Sequence, residues 1–255
     1  KALQMGTSHN LGQNFAKAFK IKFLGKDEKE YLPWQNSWGF STRLIGAVVM
    51  MHSDDKGLVL PPKIAPTQIV IVPIYKSDNK DNVIQKANEI KNKLKAYAVE
   101  LDDRDGYTPG WKFNEWELKG VPLRVEIGPK DIEKKQVVLV RRDNNKKEFV
   151  NLIQLDEKVK DALGDIQNSL FEKAKNFLNS NTTEASNWND FVNQIKNRKL
   201  VKASFCGKVE CEDLIKDKTG GATSRLIPLE QPKNIGNCVH CGKEGKFLVY
   251  FAKAY

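Results

Sequence analysis

A chain of 255 residues with 40% hydrophobic content is long enough for about two domains of roughly 100–200 residues each, and it can fill their cores. Its net charge of +10 suits a polyanionic partner such as nucleic acid without requiring one. No apolar run approaches the ~20 residues of a membrane span, and Lys1 to His9 contains no signal-peptide apolar region, so a cytoplasmic location with no membrane partner is expected.

Residues 1–66 begin within a pattern, at Gly6-Thr7-Ser8-His9, and run to the breaker cluster Pro61-Pro62-Lys63-Ile64-Ala65-Pro66. They read as the closing part of a domain that starts upstream. From Gln68 the β-branched run Ile69-Val70-Ile71-Val72 predicts a strand buried on both faces, hence a parallel α/β sheet. Over residues 81–98, Val83, Ala87, Ile90, Leu94 and Tyr97 recur at three- and four-residue steps and predict an amphipathic helix. Val99 and Leu101 predict a second strand. Pro109-Gly110 opens a short helix through Glu117, and Gly120 stands where a C-terminal cap belongs. Val121, Leu123, Val125 and Ile127 then alternate with Pro122, Arg124 and Glu126, which sets Arg124 and Glu126 together on a face turned from the core and open for binding. After the Gly128-Pro129 turn, residues 137–140 predict another strand, and residues 156–178 carry Val159, Leu163, Ile166, Leu170, Ala174 and Phe177 on one helical stripe. Residues 179–183 read as a polar linker, giving an expected division into 1–66, 67–180 and 181–255.

All four cysteines fall in the last fifth of the chain, Cys206 and Cys211 with four residues between them, Cys238 and Cys241 with two. Two close pairs in a chain expected in the cytoplasm fit a tetrahedral zinc site better than a disulfide framework. His240, inside the second pair, is a competing ligand; four free thiols are the alternative.

Three strings carry a resemblance. They are Gln4-Met5-Gly6-Thr7-Ser8-His9-Asn10-Leu11-Gly12-Gln13-Asn14-Phe15; Ser37-Trp38-Gly39-Phe40-Ser41-Thr42-Arg43-Leu44-Ile45-Gly46-Ala47 followed by Gly57-Leu58-Val59-Leu60-Pro61-Pro62; and Pro109-Gly110-Trp111-Lys112-Phe113-Asn114-Glu115-Trp116-Glu117-Leu118-Lys119-Gly120-Val121-Pro122. They resemble prolyl-tRNA synthetases of the archaeal and eukaryotic type, the second string looking like motif 3 of class II synthetases and the third like the anticodon-binding signature. The resemblance covers essentially the whole chain. It implies an α/β architecture: 1–66 as the C-terminal part of the antiparallel-sheet catalytic domain, 67–180 as an α/β anticodon-binding domain, and 181–255 as a small α+β zinc-binding domain. It implies a proline–tRNA ligase that uses ATP with magnesium, proline and proline tRNA, dimeric as a whole enzyme, with a structural zinc at Cys206, Cys211, Cys238 and Cys241 and with Tyr255 packed back toward the catalytic domain.

Taken alone, Arg43 is one of 42 basic residues and reads as a surface charge. The resemblance makes it the catalytic, ATP-gripping arginine, whose planar guanidinium holds phosphate through forked hydrogen bonds. It also sets Gln4 and Thr7 beside the adenosine end of ATP, and Thr7, His9 and Ser41 beside proline and the terminal adenosine of tRNA, His9 as a hydrogen-bond partner and not a general base. One departure is His52-Ser53-Asp54 where the family usually has His-Gly-Asp; a positive φ there would strain serine.

Phe113 and Glu117 lie four apart on one side of the short helix, and Arg124 follows on the next strand: a stacking surface, an acceptor and a donor, as unpaired bases require. By residue type alone, Phe113 and Trp116 fit a core and Glu117 a solvated helix surface better. The resemblance assigns Phe113, Glu117 and Arg124 to the anticodon and adds Lys130 and Asp131, suited to the two guanines common to proline anticodons. Two alternatives remain at this level: a tRNA-binding fragment or accessory protein without ligase activity, because the family's dimer motif and second phosphate-gripping arginine do not occur in these residues, and a protein-interaction role for the C-terminal domain.

Overall fold

The computed structural model describes residues 1–255. Its first strand, β1 (Thr7–Gly12), ends where Gly12 takes a φ of 55°, a left-handed conformation that glycine adopts without a Cβ clash. The helix α1 (Asn14–Ala18), the short hairpin β2 (Phe23–Leu24) and β3 (Glu30–Tyr31), and β4 (Gln35–Gly39) follow, and β1 pairs antiparallel with β4. The apolar run that starts at Leu44 forms α2 (Arg43–His52).

The Ile69–Val72 run becomes β5 (Ile69–Pro73), buried along its whole length. After it come α3 (Lys80–Lys93), with Val83, Ala87 and Ile90 inward, and β6 (Val99–Leu101), parallel to β5. Next is α4 (Pro109–Leu118): Thr108 Oγ1 accepts from Trp111 N at 3.3 Å, proline occupies the first turn, and Gly120 at φ 73° lets the chain leave the helix. Then β7 (Leu123–Ile127) returns parallel to β5, α5 (Pro129–Glu133) makes a single turn, and β8 (Gln136–Arg141), β9 (Lys147–Asn151) and α6 (Leu155–Ser180) complete the series. The strand order is β6-β5-β7-β8-β9. The expected parallel sheet is thus a mixed one, since β8 runs antiparallel to both its neighbours.

One face of this sheet packs Ile69, Ile71, Leu123 and Val125 against α3 and α6. The other carries Val70, Val72 and Val121 under Phe113 and Trp116 of α4. The register sets Arg124 opposite Val70 and Glu126 opposite Val72, so both charges lie on the α4 side. The open polar face expected for this strand is therefore covered: Arg124 and Glu126 are only 7% and 6% exposed, because α4 lies over them.

The chain divides into two compact units, Val48–Asn176 and a second composed of Lys1–Ala47 with Phe177–Tyr255. Residues 48–66, expected with the first domain, belong with the sheet. Leu58 N donates to Leu118 O (3.0 Å), Leu60 N to Gly120 O (3.2 Å), and Val59 joins Ile166 and Leu170 in a small core. The expected linker at 179–183 is mostly helix and strand. Thus α6 continues to Ser180, and β10 (Thr182–Glu184) starts two residues later.

In the second unit, α7 (Trp188–Lys196), β11 (Leu200–Phe205), α8 (Val209–Thr219), β12 (Ala222–Leu226) and β13 (Phe247–Lys253) follow β10, and the sheet order is β10-β11-β13-β12. Phe191 and Phe251 are fully buried at its core, with Phe205 against Phe251. Tyr255 N donates to Ala2 O at 3.0 Å, so the last residue pairs with the N-terminal segment. No helix is long and apolar enough to cross a membrane.

A buried charge anchors α4 at Lys112 and Trp116. Asp102, beyond β6, accepts two bonds from Arg104 (2.8 and 2.7 Å) and one from Trp116 Nε1 (2.8 Å), while Lys112 Nζ donates to its carbonyl at 2.9 Å and lies 3.7 Å from its carboxylate. Burial alone would raise the carboxyl; the Arg104 and Trp116 hydrogen bonds prevail and hold it at about 2. Its folded value lies below the unfolded one, so the contribution is present at neutral pH and is lost as pH falls through roughly 4 to 2. Asp102→Asn should lower stability by about 3–5 kcal/mol in urea unfolding at pH 7, because Lys112 is left buried without a counter-charge. It should also flatten the loss of stability between roughly pH 4 and 2.

Candidate functional site

Three clusters of functional side chains stand out. In the first, β1 and the start of α2 line an open groove of 470 Å³ that contains Gln4, Thr7, His9, Ser41 and Arg43 together with Trp38 and Phe40. Thr7 and His9 share one face of β1 by the two-residue strand period. Gln4 Nε2 donates to Thr7 Oγ1 at 3.0 Å, Arg43 Nη1 donates to Gln4 O at 3.2 Å, and Arg43 N reaches Ser41 Oγ at 3.4 Å. All five residues singled out from the sequence here are brought together. Arg43 is the first residue of a ten-residue helix with no acidic residue in its first turn. A cation at the positive end of a helix is uncompensated, and an anion placed there would satisfy both the guanidinium and the helix dipole. Further along, Ser53 has no positive φ, so the strain considered for it does not arise, but its Oγ is buried without a partner, as is His52 Nδ1.

The second cluster joins α4 to β7. Arg124 Nη1 donates to Glu117 Oε1 (3.0 Å), Arg124 Nε donates to Glu126 Oε1 (3.0 Å), and the guanidinium lies 4.1 Å from the Phe113 ring centroid. Phe113, Glu117 and Arg124 therefore meet as expected, in a closed arrangement. The cavity beside Glu117 and Arg124 measures only 10 Å³, room for about one water, so a base enters only if the pair opens. Lys130 and Asp131 stand apart on α5 and share no hydrogen bond with that trio; the Asp131 carboxylate accepts from Gly128 N (3.0 Å) and Gln136 Nε2 (3.3 Å), holding its own turn. Two supporting neighbours of that trio escaped the sequence reading. Glu126 was visible only as the neighbour of Arg124, and Arg142, which donates to Glu117 O at 3.0 Å, carries no periodic signal.

The third cluster is the thiols. Cys206 follows β11, Cys211 sits in the first turn of α8, and Cys238 and Cys241 bracket a turn closed by Cys238 N to Lys243 O (2.7 Å) and Gly242 N to Cys238 O (3.0 Å). The four Sγ atoms lie within 4.8 Å of one another, with Cys211 and Cys238 at 3.7 Å. A zinc–sulfur bond of ~2.3 Å gives a tetrahedral edge of ~3.8 Å, so the donor set fits a metal. Burial pushes the Cys211 thiol up. Burial also works against a Cys238 thiolate, yet backbone amides aimed at that sulfur bring it down to about 7. His240 Nε2 lies 3.1 Å from Lys218 Nζ and its Nδ1 3.2 Å from Cys211 Sγ. An ammonium only donates, so Nε2 accepts and Nδ1 presents its proton to the sulfur. In this geometry His240 is a hydrogen-bond donor to the cluster and not a ligand within it.

Two family descriptions match the chain: "Anticodon binding domain" over residues 68–162 and "Prolyl-tRNA synthetase, C-terminal" over residues 188–255. Among similar proteins, the proline–tRNA ligase of Ruminiclostridium cellulolyticum is 55% identical over 257 residues, that of Natranaerobius thermophilus 50% over 260, and that of Alkaliphilus oremlandii 52% over 259. Each alignment takes in 100% of this chain and 53% of the relative, so the chain spans about half the length of the curated relatives it matches.

The thiol geometry makes a spectroscopic prediction. One equivalent of Co²⁺ should give tetrahedral d–d bands and a thiolate-to-cobalt charge-transfer band, saturating at one ion per chain, and Cys238→Ser should weaken both. A featureless titration would mean that the four thiols do not act together.

Proposed function

Because this chain belongs to the prolyl-tRNA synthetase family, whose C-terminal portion it matches, we propose that within a longer protein it supplies one wall of the aminoacylation site and the anticodon reader of a proline–tRNA ligase. The observation that carries this reading is the convergence of Gln4, Thr7, Ser41 and Arg43 in one groove.

In this scheme Arg43, backed by the α2 N-terminus, grips ATP phosphate oxygens in one geometry. Gln4 and Thr7 border the adenosine end, and Thr7, His9 and Ser41 border proline and the terminal adenosine. A proline carboxylate oxygen attacks the α-phosphorus in line as the bond to pyrophosphate breaks; no side chain is acylated, and positioning with charge stabilisation supplies the rate. The prolyl group then passes to the ribose hydroxyl of the terminal adenosine and AMP leaves. Magnesium bound with ATP would neutralise phosphate charge. For the anticodon we assign a stacking role to Phe113, an acceptor role to Glu117 and a donor role to Arg124, with Lys130 and Asp131 at the margin. The four thiolates hold a structural zinc, since a closed four-ligand site offers no open position to substrate. We read the whole enzyme as a cytoplasmic homodimer.

In the full-length enzyme, Arg43→Ala should reduce proline-dependent ATP–pyrophosphate exchange by about 10³-fold or more, the loss typical of removing a group that stabilises developing charge; near-normal exchange would remove Arg43 from the site. The 255-residue chain alone should bind proline tRNA, and Glu117→Gln or Arg124→Ala should weaken that binding about tenfold. Equal affinity for a tRNA with an unrelated anticodon would sink the assignment.

A further inference from the structure

Glu117 has two roles open to it, one for its carboxylate and one for its carbonyl. The carboxylate holds Arg124; the carbonyl accepts from Arg142 Nε at 3.0 Å. The other two nitrogens of that guanidinium hold both oxygens of Asp54, at 2.8 and 2.6 Å. Arg142 lies one residue beyond β8, its side chain 2% exposed and its backbone N fixed to Pro122 O at 2.9 Å. Asp54 stands two residues after the end of α2, the helix that Arg43 opens.

The next residues add to the join. Leu58 N and Leu60 N take the carbonyls of Leu118 and Gly120, so three carbonyl groups at and just past the end of α4, those of Glu117, Leu118 and Gly120, are bonded by Arg142 or by the segment after Asp54. Two glycines permit the approach: a Cβ at Gly57 would lie 2.7 Å from Leu118 Cα, and one at Gly120 would lie 2.6 Å from Leu58 Cβ.

We propose that Asp54 and Arg142 are positioning residues that make charging depend on the anticodon, by tying the end of α2 to the end of α4 at Glu117. The proposal rests on the reading of Glu117 and Arg124 as base-contacting groups. The two-state element is the Glu117–Arg124 pair, which is closed here and has to open for a base to enter. Arg142 is buried with its Nε and both terminal nitrogens bonded, and it holds the main-chain oxygen of Glu117, so the link runs through the backbone: a shift of the α4 end as the pair opens is passed to Arg142 and from Arg142 to Asp54.

The test uses the full-length enzyme with Asp54→Asn and with Arg142→Lys, which keeps the charge and loses the fork. Two activities are read: proline-dependent ATP–pyrophosphate exchange without tRNA, and aminoacylation kcat and KM for proline tRNA and for the same tRNA with a changed anticodon. Exchange should persist, while the preference for the native anticodon should fall about tenfold, a common size for coupling between two sites. The change should sit in kcat, with KM for tRNA within about twofold, because base contacts are intact. An unchanged preference in both variants overturns the proposal, as does a loss of exchange that parallels a fall in thermal stability, the mark of a merely structural bridge. Failure of the underlying reading is separable: Glu117→Gln would then also leave the anticodon preference unchanged.

Discussion

Charge buried beneath α4 has to be paired, and much of the sheet unit is arranged to meet that demand. The register of β5 with β7 alternates valine and charge on one face: Val70 beside Arg124, Val72 beside Glu126. An apolar helix laid over such a face would strand the ions, at a cost of several kcal/mol each. Instead α4 brings its own polar partners. Lys112 and Trp116 meet Asp102, and the next residue, Glu117, meets Arg124, so electrostatic pairing and the contacts of Phe113 and Trp116 orient the helix together.

The same demand explains where sequence reading succeeded and where it did not. The continuous run of β5 and the stripes of α3 and α6 needed only period and composition; the structure has all three elements, although α3 ends at Lys93, before the expected Leu94 and Tyr97, and Phe177 at the end of the α6 stripe is exposed. Arg124 and Glu126 were taken for a solvent face because alternation distinguishes polar from apolar residues, not covered from open ones. Strand direction was equally hidden in the strand residues. It was available in the turn instead, since Asn144-Asn145, with Asn145 at φ 58°, is the kind of left-handed corner that joins β8 to an antiparallel β9. The polar tract after Leu178 did not end its helix early, because Asn and Ser side chains there bond back to the preceding turn.

The groove around Arg43 was legible in a different way. Its members are separated by as many as 39 residues, and one bond runs to the main-chain oxygen of Gln4, which no residue type announces. Only the resemblance of whole strings could bring them together in advance. The thiols required less, since the two spacings already fix two short loops, but the chain from Lys218 through His240 to Cys211 depends on α8 packing beside the second loop. Partners of this kind orient thiol groups and tune their basicity, and no spacing of cysteines in a sequence contains them.

Gly57 and Gly120 have a bearing on how variation in this family should be read. Neither carries a functional atom, and each is required by the backbone that crosses it, the other glycine lying on that crossing chain. A side chain at either position presses on backbone and not on a movable side-chain end, so no rotamer change relieves it, and both also take left-handed φ values of 129° and 73°. The two positions therefore share one crossing, since a side chain at either forces the chains apart, while each also keeps its own demand for glycine through its backbone angle. Strict glycine at both sites would record the nearness of two backbones, and invariance there should not be mistaken for a mark of catalysis.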